Sequence, residues 1–198
     1  MRLFLAIELD EAARRAIATE QQRLNNAIEH DGRSLPKWVR PEHMHLTLAF
    51  LGDVDAQRTD TLVNTMREAM PYQRFAIELG GLGVFPARGA PRVLWLGLRH
   101  GGTDVVEVQR LVVERLARLG IELERRPFHP HLTLARWRVS ETTDRDGAAK
   151  VDRHAVVARI HVQAVTLVHS RLSPEGPRYS TLCEARLADW PPQPLESS

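Results

Sequence analysis

The 198-residue chain has 43% hydrophobic and 26% charged residues, which is typical of a folded globular protein and excludes disordered, collagen-like and coiled-coil classes. Its 27 basic and 25 acidic residues leave a net charge of +2, which argues against a coat for long nucleic acid but permits a pocket for one phosphate. The single cysteine, Cys183, excludes an internal disulfide, and no stretch reaches the ~18 apolar residues of a membrane span, so we expect a cytoplasmic protein without a membrane partner.

The first half of the chain predicts the order strand, helix, strand, helix, strand. The apolar run from Leu3 to Ile7 predicts a strand, and Asp10 then caps a helix. The apolar positions of this helix are Ala13, Ile17, Leu24 and Ile28. A strand over 45–51 precedes a helix that begins at Asp55, and residues 75–79 return to strand. The inner face of that second helix is predicted to carry Leu62, Met66 and Met70.

The second half repeats this order after a glycine- and proline-rich connection over 80–91. A buried strand over 93–96 is followed by a helix, for which Asp104 and Glu107 resemble a capping box and Gly120 a C-terminal stop. The inward positions of this helix are Val108, Leu111, Val112 and Leu119.

The remaining elements complete the second half of the chain. Residues 131–136 predict a strand, and the polar stretch over 141–150 predicts a loop with a short helix. Two more strands are expected, one carrying Ile160, Val162, Val165 and Leu167 and one over 179–183. The Pro-rich residues 191–198 predict a tail.

An internal duplication explains why the two halves share one order of elements. Residues 41–49 and 127–135 share the pattern Pro-x-His-x-His-Leu-Thr-Leu-Ala and match at seven of nine positions. We therefore predict an α+β fold in which residues 1–190 form one two-lobed domain, with repeats over roughly 1–86 and 87–190. An approximate two-fold axis would place both motifs across one cleft between the lobes.

Side-chain alternation in a strand gives each motif a polar face. His45 and Thr47 point one way, while Leu46, Leu48 and Phe50 are predicted to point the other way, where the leucines belong to the core. The same alternation puts His131 and Thr133 together. With a pKa near 6.5, one imidazole can accept a proton from water while the other donates one to a leaving oxygen, and threonine hydroxyls can stabilise a phosphate. This combination suits in-line phosphodiester chemistry.

A metal site is the alternative interpretation of the same motifs, because His43 and His45, like His129 and His131, stand two residues apart on a predicted strand face. No Asp, Glu or Cys shares the inward face of either motif. We therefore expect no metal and no other cofactor, and place His43 and His129 at the rim. Threonine also favours strands for structural reasons, so the threonines indicate function only together with the histidines.

These motifs resemble the two-histidine phosphoesterase superfamily, and within it the RNA 2′,3′-cyclic phosphodiesterases historically called 2′-5′ RNA ligases. The resemblance covers almost the whole chain. Its segments are Arg2 to Ile7, Trp38, His45 to Leu48, Phe50 to Gly52, Phe128 to Arg136, and Leu167 with Ser170, Leu172 and Tyr179. His43 departs from the family pattern, where a polar residue such as asparagine is common.

The resemblance implies hydrolysis of a 2′,3′-cyclic phosphate RNA end to a 2′-phosphate, with a weak reverse 2′-5′ ligation. It also implies two lobes, each an antiparallel sheet backed by helices, with the active site between them. His45 would be the general acid that protonates O3′, His131 the general base that activates water, and Thr47 and Thr133 the residues that hold the phosphate.

Six further side chains are predicted to contact the substrate: Arg136, His43, His129, Phe50, Ser170 and Tyr179. Arg136 matches the family's terminal arginine, and its planar fork suits a pair of phosphate oxygens. Its odd spacing from His131 requires a twist or bulge after Ala135, and an exposed, solvated arginine is the alternative.

The expected partners are RNA ends with a 2′,3′-cyclic phosphate or small nucleotide phosphodiesters, bound by a monomer. Two other functions stay open. One is hydrolysis of a different small cyclic or 2′-5′ phosphodiester, and the other is binding of RNA ends without catalysis.

Overall fold

The structure, a computed structural model, describes residues 1–29, 36–123, 127–138, 155–174 and 176–189. Ten strands, three α-helices and one 3-10 turn occur along these residues. The strands are β1 (Arg2–Glu8), β2 (Lys37–Trp38), β3 (His45–Asp53), β4 (Met70–Gln73), β5 (Phe75–Phe85), β6 (Val93–His100), β7 (Leu132–Arg136), β8 (Val156–Val162), β9 (Ala164–Ser173) and β10 (Gly176–Ala188). The helices are α1 (Glu11–Glu29), α2 (Ala56–Arg67) and α3 (Gly102–Arg118), and the 3-10 turn is Pro41–His43.

The strands form one sheet in the order β4-β10-β9-β1-β3-β7-β6-β5-β8, with β2 paired to β7. All pairs are antiparallel except β4 with β10. At the centre, β3 and β7 are joined by a single register pair, Leu46 with Leu132. The two strands that carry the repeated motif are therefore neighbours at the middle of the sheet.

The predicted α+β class is confirmed by this mixture of three helices and a ten-stranded sheet in the described residues. The two-lobed duplication stays a prediction. The sheet divides at the β3/β7 junction into one group of strands on the side of β3 and another on the side of β7. Each group contains strands from both predicted repeats. β5 joins the group that contains β7, and β9 and β10 join the group that contains β3.

The main core lies on the face of the sheet that carries Leu46 and Leu132, both fully buried. All three helices contribute to it with the apolar spacing predicted from the sequence. Their buried apolar side chains are Ala13, Ile17, Leu24, Leu62, Met66, Val105, Val108, Val112 and Leu116. On the opposite face, a small second cluster holds Phe4, Ala6 and Val168 with Tyr179 against them.

Of the three predicted helix starts, two are confirmed and one is wrong. Asp10 and Asp55 cap α1 and α2 as predicted, since their carboxylates accept the backbone N–H groups of Ala13 at 2.7 Å and Arg58 at 2.8 Å. The capping box at Asp104 is wrong, because α3 starts two residues earlier and its N-cap is Gly101. Asp104 instead accepts a hydrogen bond from the Tyr72 hydroxyl at 2.8 Å.

Three strand boundaries also differ from the prediction. β5 continues to Phe85 through the predicted connection, because its glycines make room for the neighbouring strand rather than a turn. Met70 lies in β4 instead of α2, and the strand predicted around residues 160–167 is two strands separated by Gln163. The predicted loop with short helix over 141–150 and the tail over 191–198 lie outside the described residues. No helix in the described ranges is both long and apolar enough to span a bilayer.

Candidate active site

A β-bulge in β3 decides which side chains share the face of His45. Thr47 is opposite Ala6, but the next pair is Ala49 with Leu5, so Leu48 is an extra residue without a partner. Beyond the bulge the alternation is inverted. Phe50, opposite Phe4, therefore lies on the face of His45 and Thr47, where 69% of its surface is exposed. The prediction that Phe50 points away from the face of His45 is wrong for this reason.

The second motif carries a bulge at the equivalent position. Thr133 is opposite Trp95 and Ala135 is opposite Leu94, which leaves Leu134 as the extra residue. Arg136, the next residue after Ala135, consequently returns to the face of Thr133. The bulge that Arg136 requires is present, but it precedes Ala135 instead of following it.

The two motifs meet on one face of the sheet. Leu46 and Leu132 are paired and point to the core, so the flanking residues His45, Thr47, His131 and Thr133 point to the opposite face. Because β3 and β7 run antiparallel, each histidine lies toward the threonine of the other motif. All four side chains are half-buried. The arrangement presents two imidazoles and two hydroxyls to one shared surface.

The His45 ring is held between two aromatic side chains. It stacks on Phe4 with ring centroids 4.6 Å apart, and the ring of Tyr179 meets its edge at 5.3 Å. A hydrogen bond to the backbone of His43 also acts on the ring. Since stacked and edge-on contacts both restrict ring rotation, His45 is held in a defined orientation.

The His131 ring has a similar setting built from different strands. Phe85 and Trp95 approach its edges with centroid distances of 5.0 and 6.1 Å. Its Nδ1 lies 2.8 Å from the carbonyl oxygen of His129. A carbonyl only accepts hydrogen bonds, so Nδ1 carries a proton and Nε2 holds the lone pair when the ring is neutral. This tautomer leaves Nε2 free to act as a base.

Gly83 sets the position of the Trp95 indole beside His131. A Cβ at Gly83 would lie 2.1 Å from the indole, so a residue with a side chain cannot occupy this place while Trp95 keeps its position. Phe85 adds a second contact to the indole, with ring centroids 5.0 Å apart. Gly83 therefore supports the aromatic wall around His131.

Burial and nearby cations lower the pKa of both histidines. Desolvation, with the guanidinium charges of Arg14 and Arg136, lowers the pKa of His45 to about 4. Burial also lowers the pKa of His131, and the positive charges of His129 and Arg136 lower it further. These surroundings therefore disfavour imidazolium at both positions. The most complementary ligand of this surface is an anion, which would restore the pKa of the ring beside it.

Arg14 ties the segment before His45 to the start of α1. Its guanidinium donates to the carbonyl oxygens of Pro41 at 2.6 Å and Met44 at 3.1 Å, and to Glu8 Oε2 at 2.7 Å. Only 16% of the Arg14 side chain is exposed. Because Met44 immediately precedes His45, this arginine fixes the backbone that carries the imidazole and also places a positive charge near it.

We expect Arg14→Met to raise the pKa of His45, because the substitution removes a cation that disfavours imidazolium and leaves the Glu8 carboxylate unpaired nearby. The measurement is an NMR titration of the imidazole resonances. Arg15→Met is the matched control, since Arg15 is exposed and its ion pair is with Glu11 at 3.4 Å. An unchanged His45 titration in Arg14→Met would contradict this electrostatic role.

The remaining predicted substrate contacts surround these histidines. His43 meets Tyr179 edge-on at 5.2 Å, and the exposed His129 meets Trp95 at 5.2 Å. Both residues were predicted to lie on a strand, and this is wrong. His43 ends the 3-10 turn, and His129 precedes β7. Ser170 is opposite Tyr179 in the β9/β10 pair and shares the face of Val168. Exposed Arg136 forms no ion pair within the described ranges.

Sequence reasoning missed four residues of this surface: Phe4, Arg14, Phe85 and Trp95. Phe4 belongs to an apolar run that is otherwise core, and the other three come from distant parts of the chain. The repeated motif indicates that the strands paired with it belong to the site. It does not indicate which side chains of those strands contact the histidines. Within the residues that the structure describes, no cluster of three or more His, Cys, Asp or Glu side chains is arranged to hold a metal ion.

Comparisons with known proteins agree on one family. A family model described as the 2′-5′ RNA ligase superfamily matches residues 10–174. The RNA 2′,3′-cyclic phosphodiesterase of Methanothermobacter thermautotrophicus is 34% identical over 94% of this chain and 99% of its own length. The Aeropyrum pernix protein of the same name is 33% identical over 84% of this chain and 94% of its own length.

Solved structures show the same relationship. E. coli LigT in its apo form superimposes with a TM-score of 0.74 and 27% identity, covering 94% of this chain and 97% of LigT. LigT complexed with 3′-AMP also gives a TM-score of 0.74, with 26% identity over 94% of this chain and 98% of LigT. The family match spans most of the chain, and these relatives align over nearly their whole length. The chain therefore belongs to the 2′-5′ RNA ligase superfamily.

Proposed function

We propose that the protein is an RNA 2′,3′-cyclic phosphodiesterase that hydrolyses a cyclic phosphate end to a 2′-phosphate without a metal or other cofactor. The observation that carries the proposal is the shared face of His45, Thr47, His131 and Thr133 at the β3/β7 junction. Two proton-transfer groups beside two hydroxyl donors match an in-line displacement at phosphorus. The relatives that align over nearly their whole length carry this activity in their names.

In the proposed reaction, water attacks phosphorus on the side opposite to O3′. His131 Nε2 takes the proton from water, while the hydrogen bond from Nδ1 to the His129 carbonyl steadies the ring. The bond from phosphorus to O3′ breaks as His45 donates its proton to that oxygen. The role of each histidine follows the family resemblance, and the product is a 2′-phosphate with a free 3′-hydroxyl.

The negative charge of the substrate favours the protonated form of His45 that the reaction needs. Burial and the nearby guanidinium charges lower the pKa of His45 to about 4, so the imidazole is mostly neutral at neutral pH. A bound phosphodiester anion offsets the guanidinium charge of Arg136 and favours imidazolium. Substrate binding thus raises the pKa of the general acid, and the acid is charged where the leaving oxygen requires it.

The other predicted residues contact the rest of the phosphate and the RNA end. Thr47 and Thr133 donate hydrogen bonds to non-bridging oxygens, and Arg136 binds them with its planar fork. Around them, His43, His129, Phe50, Ser170 and Tyr179 contact the nucleotide. Phe50, largely exposed beside Phe4, offers an apolar surface to a ribose or base. The complex of LigT with 3′-AMP supports a nucleotide ligand for this site.

The direct test uses a short RNA that ends in a 2′,3′-cyclic phosphate, with excess EDTA throughout. We expect hydrolysis at the same rate with and without EDTA, and a product that resists a 3′-specific phosphatase. Failure to hydrolyse this RNA while another cyclic or 2′-5′ phosphodiester is cleaved would assign a different substrate. Activity that EDTA abolishes and a divalent ion restores would contradict metal-free catalysis.

The pH dependence follows from the lowered histidine pKa values. The mechanism needs one neutral and one protonated imidazole, and in the free enzyme both pKa values lie below 6.5. We therefore expect a bell-shaped kcat/KM profile with its maximum on the acid side of pH 6.5, and a kcat profile displaced toward higher pH by the bound anion. A profile that rises steadily to high pH would contradict the histidine pair.

Salt dependence separates an enzyme that grips one RNA end from a protein that binds a long RNA track. Each single-strand phosphate contact gives a slope of about −0.7 in log affinity against log salt. We expect a slope that corresponds to one to three contacts, and a slope several times steeper would favour an RNA-binding protein.

A monomeric state and a cytoplasmic location are parts of the proposal that depend on the sequence alone.

A further inference from the structure

One polar side chain interrupts the apolar stripe by which α1 packs against the core. The buried residues Ala13, Ile17 and Leu24 form this stripe, and Gln21 lies within it, one turn after Ile17 and one turn before Leu24. Only 7% of Gln21 is exposed. A buried amide destabilises the fold unless its hydrogen bonds are made, so the partners of Gln21 should explain why a polar residue is here.

The amide of Gln21 bridges two segments of the chain. Its Nε2 donates to the carbonyl oxygen of Val39 at 2.9 Å and to that of Leu134 at 2.9 Å. Carbonyl oxygens only accept hydrogen bonds, so the amide nitrogen, with its two protons, is the atom that faces them. Val39 leads into the 3-10 turn before His45, and Leu134 is the bulge residue of β7. One side chain of α1 therefore holds backbone next to both motifs.

The contact with Leu134 falls at the point where β7 changes face. The Leu134 carbonyl oxygen also accepts from the backbone N–H of Val39 at 2.8 Å, so two donors hold this peptide group. The bulge at Leu134 returns Arg136 to the face of Thr133, and a shift of the bulge by one residue would turn the Arg136 side chain to the opposite face. Gln21 thus acts on the peptide group that determines where Arg136 points.

Helix α1 supplements a narrow junction between the two motif strands. β3 and β7 share a single register pair, Leu46 with Leu132. Polar side chains at helical spacing on α1 contact residues next to both strands, namely Arg14, Gln21 and Asn25. The Asn25 Oδ1 atom accepts from Trp38 Nε1 at 2.7 Å, and Trp38 is paired with Ala135 of β7. The placement of the second motif therefore depends on α1 as well as on the neighbouring strands.

We propose that Gln21 is a positioning residue for Arg136. By holding the bulge at Leu134 in register, its amide keeps the guanidinium on the face of the two histidines. This inference rests on the proposed function, which makes Arg136 the residue that binds the phosphate oxygens. Gln21 is buried among core residues of α1, so its effect on catalysis passes through the backbone of β7.

The test is a double-substitution cycle between Gln21 and Arg136, measured as kcat/KM on a short RNA with a 2′,3′-cyclic phosphate end. Gln21→Met keeps a side chain of similar length but has no N–H to donate. We expect it to lower kcat/KM by roughly three- to thirtyfold in the parent protein, within the range for residues that act together. In the Arg136→Gln background it should lower kcat/KM by less than about twofold, because the arginine that it misplaces is already absent.

Two further variants separate positioning from a loss of stability. Gln21→Glu keeps the shape of the side chain but turns a carboxylate toward two carbonyl oxygens, so it should lose at least as much activity as Gln21→Met. Leu62→Ala is the matched control, since Leu62 is fully buried in α2, which packs on β10 at the β3 side of the sheet. It should lower the temperature of thermal unfolding by leaving a cavity, but keep kcat/KM in either background.

An unchanged kcat/KM in Gln21→Met would overturn the inference, as would an equal loss with and without Arg136. Gln21→Leu carries the same cycle if Gln21→Met does not fold, because leucine suits an apolar stripe. The proposed function fails in a different way, through a parent protein that does not hydrolyse the RNA or an Arg136→Gln variant that keeps the parent rate.

Discussion

Alanine at either His45 or His131 is expected to lower turnover of the cyclic phosphate by at least ~10²–10⁴-fold, the usual contribution of one general acid or base. Each imidazole has a separate proton to move, so neither can replace the other. The measurement is kcat on an RNA with a 2′,3′-cyclic phosphate end. Because Phe4 and Tyr179 pack against His45, and Phe85 and Trp95 border His131, thermal unfolding of each variant must be recorded as well.

His161→Ala is the matched control, because this histidine is exposed on β8 and takes no part in the site. It should keep the parent rate. The double variant His45→Ala/His131→Ala should lose little more than either single variant, since both groups act on one transition state. Full activity in either single variant would remove that histidine from the mechanism.

Arg136 should have the second-largest effect. Arg136→Gln removes a hydrogen-bond donor pair to the phosphate, and a hydrogen bond to a charged group is worth about 1.5–3 kcal/mol, or roughly ten- to a hundredfold in kcat/KM. Arg136→Lys keeps the charge but loses the planar fork, so it should recover only part of this loss. The control Arg118→Gln changes net charge equally at an exposed position in the last turn of α3.

Arg136→Gln should also displace the pH profile. The guanidinium charge lowers the pKa of both His45 and His131, so its removal raises both pKa values. The maximum of kcat/KM should therefore move to higher pH in Arg136→Gln and stay in place in Arg136→Lys. A loss of rate without any displacement of the profile would mean that Arg136 does not act on the histidines.

The sequence predicted the elements that carry the site, because helical and strand periodicities come from residues close together in the chain. The repeated motif placed His45 and His131 on equivalent strands, and the structure pairs those strands at Leu46 and Leu132. Strict alternation failed one residue after each threonine. The bulges at Leu48 and Leu134 depend on pairing with β1 and β6, so a local pattern did not locate them.

The contacts that aromatic side chains make with the two histidines could not be predicted from the sequence, for a related reason. Phe4 reaches His45 through the β1/β3 pair, and Trp95 reaches the second motif through the β6/β7 pair. Tyr179 lies more than 130 residues after His45, and β9 and β10 complete the sheet on that side. Contacts of this kind follow from the order of strands, which local propensity does not determine. The glycines of β5 misled the prediction because they allow close packing inside the sheet, as Gly83 does for the Trp95 indole.

The central claim is that His45 protonates the departing O3′ while His131 activates the nucleophile, and a sulfur substitution tests it most directly. In an RNA end whose cyclic phosphate has sulfur in place of O3′, the leaving thiolate needs no proton. On this substrate, His45→Ala should approach the parent rate, while His131→Ala should stay lower by ~10²–10⁴-fold. Rescue of His131→Ala instead, or of neither variant, would contradict the assignment of acid and base.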